Sequence, residues 1–275
     1  MKYKLIFHLA VVLLCISNSA NAQAVVNSEL TKELFKSRVK LVESFMRRFN
    51  CEEIHHNIDT TKSNYKSENI MSIFDGLMFG VKNENDSTYK LAQSFVNDVL
   101  QSNTKLNYAD TAWFAIAPCH GKLKGKHVDF VLILNVEKYD NDAYKWVIAK
   151  AYGDIFKLTP SYTSKDILIT PLNHEVNFME LNNITTTKDD WILNYSQKQY
   201  ELDETSVFYT YVYTGMLDIE YVQGLQFQFF QVPGWTFTIQ DIDRQTKNAG
   251  WLITSFSRIS YDNTKKMLEN VYNQK

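Results

Sequence analysis

The stretch VDFVLILNVEKYDNDAYKWVIAKAY, residues 128–152, decides the fold class. Val128, Phe130, Leu132, Leu134 and Val136 occupy alternate positions and share one face of an extended strand. Tyr139-Asp-Asn-Asp142 then gathers turn formers. Tyr144 to Tyr152 resumes as a strand, with Trp146, Ile148 and Tyr152 on one side. Two such strands joined by a polar turn make an antiparallel hairpin. Its apolar face needs a covering layer, and the preceding residues supply one.

A helix is expected over Ser28 to Asn50, where Leu34, Leu41, Val42, Phe45 and Phe49 recur at helical spacing. Lys36, Lys40, Arg47 and Arg48 lie mostly off that stripe, as on a solvated face. A second helix spans Ser67 to Phe79, with Ile70, Ile73, Phe74, Leu77 and Met78 apolar. A third runs from Ser87 to Gln101, with Leu91, Phe95, Val99 and Leu100 inward. Trp113 to Ala117 reads as a short strand ended by Pro118. Beyond the hairpin come a short strand at Ile167–Ile169 and a helix at His174–Ile184. Strands continue through Val207–Tyr213, Leu225–Phe229, Trp235–Ile239 and Trp251–Phe256, and a polar helix at Asp262–Asn273 closes the chain.

The class is therefore α+β: N-terminal helices packed on curved antiparallel sheets, in two related α+β units. The later segment Phe237–Phe256, with Ile242-Asp-Arg244, a polar turn and Trp251-Leu-Ile253, echoes Phe130–Tyr152. The expected division is residues 1–22 as a signal peptide, 23–160 as a helix-rich unit and 161–275 as a β-rich unit. A single sheet built by the whole chain is the alternative.

With 275 residues, the chain has room for one large or two small domains, at roughly 100–200 residues each. Hydrophobic residues at 45% and charged residues at 22% suffice for a buried core. A net charge of −2 offers no basic surface for a nucleic acid, so none is expected as a partner. Met1-Lys-Tyr-Lys4, the apolar run Leu5–Ile16 and the small-x-small site Ala20-Asn21-Ala22 fit a signal peptide cleaved before Gln23. The apolar run of about 12 residues is short of the ~20 that span a bilayer. An exported protein, periplasmic or extracellular, without a transmembrane segment in its mature part, is the expectation. Cys15 sits inside the apolar run and leaves with it. Cys51 and Cys119 remain; they allow one disulfide, with two free thiols as the other reading.

The helix at Ser28–Asn50, the hairpin Val128–Tyr152 and the ending Gly250-Trp-Leu-Ile253 together resemble the nuclear-transport-factor-two-like and cystatin-like α+β superfamily, here as a tandem repeat. The resemblance implies a concave sheet with a pocket between it and the helices. Pockets of that family serve isomerases, dehydratases, ligand-binding proteins and assembly modules, so fold leaves function open.

Few polar residues carry chemistry. His127 and Asp129 stand two apart on a strand and share a face, so Asp129 could orient His127 as a general base; edge-protecting charges at a strand start are the other reading. His174-Glu175 lacks the second histidine of a helical zinc motif, since position 178 is Phe178. Around the neighbouring pair His55-His56 no cysteine or carboxylate arrangement defines a metal site, and a catalytic couple at Cys119-His120 would depend on contact in space rather than adjacency. No motif specifies a cofactor or a metal. Tyr209, Tyr211 and Trp235 are candidate stacking residues for a ligand, or else core. The balance favours a non-catalytic module binding a small molecule, glycan or protein. The alternative is a small-pocket isomerase, dehydratase or hydrolase using His127 and Asp129.

Overall fold

The computed structural model describes residues 42–79, 86–139, 143–157, 203–244 and 249–272. The expected leader, the start of the first helix, the strand at Ile167–Ile169 and the helix at His174–Ile184 lie outside the described residues.

Helix α1 covers residues 42–49. Val42, Phe45, Met46 and Phe49 are all buried, at the i, i+3, i+4, i+7 spacing of one helical face. The Asn50 side chain ties the end of this helix to the segment before β1: its Nδ2 donates to Leu106 O at 3.0 Å and its Oδ1 accepts from Leu106 N at 2.8 Å. Helix α2 (Tyr65–Ser72) is shorter than expected. The chain leaves it because Ile73 and Asp75 hydrogen-bond the backbone of Ile253 instead of continuing the helix. Asp75 then caps the 3₁₀ turn Gly76–Met78, accepting from Leu77 N. Leu77, one of the apolar residues of the expected helix, is 75% exposed on that turn. Helix α3 (Ser87–Ser102) starts on Asp86, whose side chain accepts from Thr88 N, and ends at Asn103 in the left-handed region. Ala92, Phe95, Val96 and Val99 face inward, whereas Leu91 stays at the surface.

The strands are β1 (Trp113–Leu123), β2 (Lys126–Lys138), β3 (Tyr144–Tyr152), β4 (Leu217–Val222), β5 (Gln226–Phe229), β6 (Trp235–Ile242) and β7 (Gly250–Arg258). They form one antiparallel sheet in the order β3-β2-β1-β5-β6-β7, with β4 also on β1. The fold is α+β, and strands from both halves of the chain share the sheet. β1 does not end at Pro118. Lys124 and Gly125, both at positive φ, turn it directly into β2, with Leu123 facing Lys126. Pro118 is tolerated because its missing N–H faces the gap between β5, which pairs residues 113–116, and β4, which pairs residues 119–123. Its carbonyl accepts from Gln223 N across that gap at 2.8 Å.

Residues 204–213 form helix α4 (Glu204–Tyr213), a correction to the expected strand. Asp203 caps it by accepting from Ser206 N, and Val207, Phe208 and Tyr211 pack inward at helical spacing. Helix α5 (Tyr261–Tyr272) closes the described chain. Helices cover one face of the sheet and part of the other. Helices α1 to α4 meet one face, where Phe237 stacks on Phe229 at 4.9 Å and on Phe49 at 5.8 Å. Each well-placed aromatic pair adds about 0.5–1.5 kcal/mol beyond the area it buries. On the second face, Val271, Met267 and Leu268 of α5 pack with Phe114, Ile133 and Ala149. A bulge where Ile133 pairs Lys150 and Leu134 pairs Ile148 inserts Ala149 and turns Tyr152 to this second face, away from Trp146 and Ile148.

Candidate functional site

Two places in the fold gather side chains with functional potential. The first lies on the second face of the sheet, beyond the apolar patch under α5. The tight turn at Lys124–Gly125 sets the register that pairs His120 with Asp129 and Lys122 with His127. The side chains of His120, His127 and Asp129 therefore meet on the face opposite to Cys119, Val128 and Phe130, which belong to the core. β4 adds Glu220. The β1–β4 register shifts between His120 and Gly121, opposite Tyr221 and Ile219, so Glu220 is the extra residue of a bulge.

The resulting network is short-ranged. His120 Nδ1 donates to Asp129 Oδ1 at 2.7 Å, and the same oxygen accepts from Gln223 Nε2 at 2.8 Å. His120 Nε2 faces His127 Nδ1 at 3.0 Å. Glu220 Oε2 stands 3.8 Å from His120 Nε2 and 3.5 Å from His127 Nδ1. The His120 ring lies against Tyr221, with centroids 5.1 Å apart. Lys122 donates to the other Glu220 oxygen; that ammonium holds the Glu220 carboxyl below the ordinary glutamate range, and the two histidines act in the same direction. Asp129 thus orients a histidine, as the strand spacing suggested, but the histidine is His120, with His127 one step further along the chain of contacts. Among the described residues, His120, His127 and Glu220 are the one group of three metal-ligating side chains whose ligand atoms all lie within 4.8 Å of one another.

The second place is a cavity of about 320 Å³ between α1 and the first face of the sheet. Trp113, Val136, Trp146 and Phe227 make its sheet wall, Val42 and Met46 its helical wall, and Tyr108 and Tyr144 its mouth. Glu43 and Lys145 bring opposite charges to the rim. Trp113 and Trp146 meet edge to face at 4.9 Å, and Tyr108 and Tyr144 do so at 6.0 Å. The Trp113 indole N–H is spent on Tyr108 O, at 3.2 Å.

The other candidates fall elsewhere. Trp235 is 1% exposed; its indole N–H donates to Asp98 Oδ2 at 2.9 Å and Arg258 covers its ring at 4.4 Å. It is a core residue, not a stacking platform. Tyr209 projects from α4 and donates its hydroxyl to Ile148 O at 3.1 Å, while Tyr211 is half-buried against the core. Neither lines the cavity. Cys51 and Cys119 are both free thiols: Cys119 is buried in β1 and Cys51 lies beyond α1 beside Asn69. The disulfide is therefore not formed. His55 and His56 stack at 4.4 Å in the α1–α2 loop.

No helix among the described residues is long and apolar enough to cross a membrane. No family model matches the chain, and neither a curated protein nor a solved structure matches it.

Proposed function

We propose that the protein is a non-catalytic binding module whose aromatic cavity takes a small, largely apolar ligand. The observation that carries this reading is the cavity itself. Ligand sites are concave, mostly apolar and lined by a few placed polar groups. Here a volume of about 320 Å³, at the lower end of that class, is walled by two tryptophans, a phenylalanine and aliphatic side chains, with one acid and one base at the rim. A flat ring system with a single charged or hydrogen-bonding end suits such a site: the ring packs against Trp113, Trp146 and Phe227, and the polar end meets Lys145 or Glu43. The expected resemblance to nuclear-transport-factor-two-like proteins agrees with a pocket in this place, and export before Gln23 would put it to work outside the cytoplasm.

His127 and Asp129 do not serve this cavity, because odd-numbered residues of β2 point away from the face that Val136 lines. That separation favours binding over acid–base catalysis. The test is a screen of small aromatic acids and amines by thermal shift, since a ligand that binds only the folded state raises the melting temperature. Val136→Trp, which fills the cavity, should abolish the shift while leaving the circular dichroism unchanged. Equal shifts for wild type and Val136→Trp would sink the proposal.

A further inference from the structure

We infer that His120 Nε2, His127 Nδ1 and Glu220 Oε2 form a binding site for a divalent transition-metal ion of the zinc class, with a fourth position open to solvent. The inference is independent of the cavity, which lies on the opposite face of the sheet.

Distances carry the argument. The three atoms form a triangle with sides of 3.0, 3.5 and 3.8 Å. The point equidistant from its corners is about 2.0 Å from each, against zinc–nitrogen and zinc–oxygen bonds of about 2.0–2.2 Å. With bonds of about 2.1 Å, an ion stands roughly 0.6 Å out of the ligand plane, close to the ~0.7 Å of a regular tetrahedron. The ion would take the place of the hydrogen bond between His120 Nε2 and His127 Nδ1, displacing its proton, with a rotation of the two nearly parallel rings toward it. Edges averaging about 3.4 Å also match the ligand spacing of a tetrahedral site.

The surroundings prepare the ligands. Asp129 accepts the Nδ1 proton of His120, which leaves Nε2 as the lone-pair nitrogen and aims it at the triangle. A carboxylate behind a ligating histidine is the usual outer support of a metal site, and Gln223 steadies that carboxylate in turn. His120 and His127 occupy paired positions of β1 and β2, and Glu220 is the bulge residue of β4 between the paired Ile219 and Tyr221. Imidazole nitrogen with one carboxylate suits zinc, copper or nickel rather than calcium or magnesium, which take oxygen. Lys122 brings an opposing charge, but it occupies the other oxygen of Glu220 and leaves Oε2 toward the histidines. His127 is 62% exposed, so the fourth position faces water. No local motif announces the site, because its ligands sit on β1, β2 and β4.

The experiment uses untagged full-length protein stripped with chelator, then titrated with Zn²⁺ by calorimetry and with Co²⁺ by visible absorption. One equivalent of Co²⁺ should give the intense bands of four-coordinate cobalt. His120→Ala, His127→Ala and Glu220→Gln should each weaken binding more than a hundredfold. Asp129→Asn, which removes only the orienting carboxylate, should weaken it about 10–100-fold. A His55→Ala/His56→Ala variant should bind as wild type does. Melting curves in chelator show that each variant is folded, and Glu220→Gln keeps the shape of the side chain it replaces. Absence of a stoichiometric site in wild type, undiminished affinity in the His120→Ala/His127→Ala variant, or loss of binding in the His55/His56 variant would overturn the inference.

Discussion

Gly121 separates His120 from Lys122 on β1, and a single methyl group there tests how closely β4 is held. A Cβ on Gly121 would stand 2.3 Å from the backbone oxygen of Asp218 and 3.3 Å from the Phe130 ring. Close carbon–oxygen contacts settle near ~3.3–3.6 Å, so β4 must retreat by about 1 Å in Gly121→Ala. Overpacking of this kind costs about 1–3 kcal/mol. Losing one ladder hydrogen bond adds about 0.5–1.5 kcal/mol. The expected total of about 2–4 kcal/mol corresponds to a fall in melting temperature of roughly 5–15 °C for a domain of this size. Thermal unfolding followed by circular dichroism reads it, and urea midpoints with an unchanged slope would assign it to the native state. Gly224→Ala is the control. It lies in the β4–β5 break with nothing within 4 Å of a new Cβ, so it should cost at most about 0.5 kcal/mol. Equal melting of Gly121→Ala and wild type would refute the close approach of the two strands.

Electrostatics gives two further outcomes. Asp75 accepts from Arg244 Nη1 and Nη2 at 2.6 and 2.8 Å, and that pairing lowers its carboxyl below the usual aspartate value. A depressed acid stabilises the fold above its unfolded pKa of about 3.9 and loses that contribution as pH falls through the depressed value. Asp75→Asn keeps an oxygen for Leu77 N but not the charge, so it should melt a few degrees lower at pH 7, with the gap closing toward pH 3; a gap that persists in acid would count against the ion pair. Burial raises the Cys119 thiol to about 12, and Cys51 is raised less strongly and is only half-buried. Maleimide at pH 8 should therefore label Cys51 slowly and Cys119 only after unfolding, and mass spectrometry of labelled peptides would expose any native reaction at Cys119.

The hairpin and the covering helices were legible because their apolar residues repeat cleanly. Phe130 and Leu132 alternate, and Phe45 and Phe49 sit one helical turn apart. The segment 204–213 was not. It is rich in Val, Phe, Tyr and Thr, all strand-favouring, and three tyrosines alternate in it. What decided helix was the cap at Asp203 and the inward set Val207, Phe208 and Tyr211. The continuation of β1 past Pro118 is hidden in the sequence, because a proline in a central strand is normally excluded. Only the later break between β4 and β5 makes room for it. The polar cluster was half visible: His127 and Asp129 share a face, as their spacing requires. The Lys124-Gly125 pair was the missed signal, since a two-residue turn there sets His120 opposite Asp129. Glu220 was beyond reach, because no local pattern ties residue 220 to residue 120.

The placement of β1 also governs when the fold can form. On one edge it pairs with β2 across a two-residue turn, but the strands for its other edge lie at residues 217–229, about a hundred residues further on. During synthesis the first hairpins are complete long before those partners exist. Until then β1 presents a row of unpaired amides flanked by the aromatic side chains of Trp113 and Phe114, the kind of border that recruits strands from neighbouring molecules. Pairings this far apart in the chain are of the non-local kind that slows folding. A chaperone that holds the nascent chain through residue 229 would protect this border during the interval in which it can aggregate.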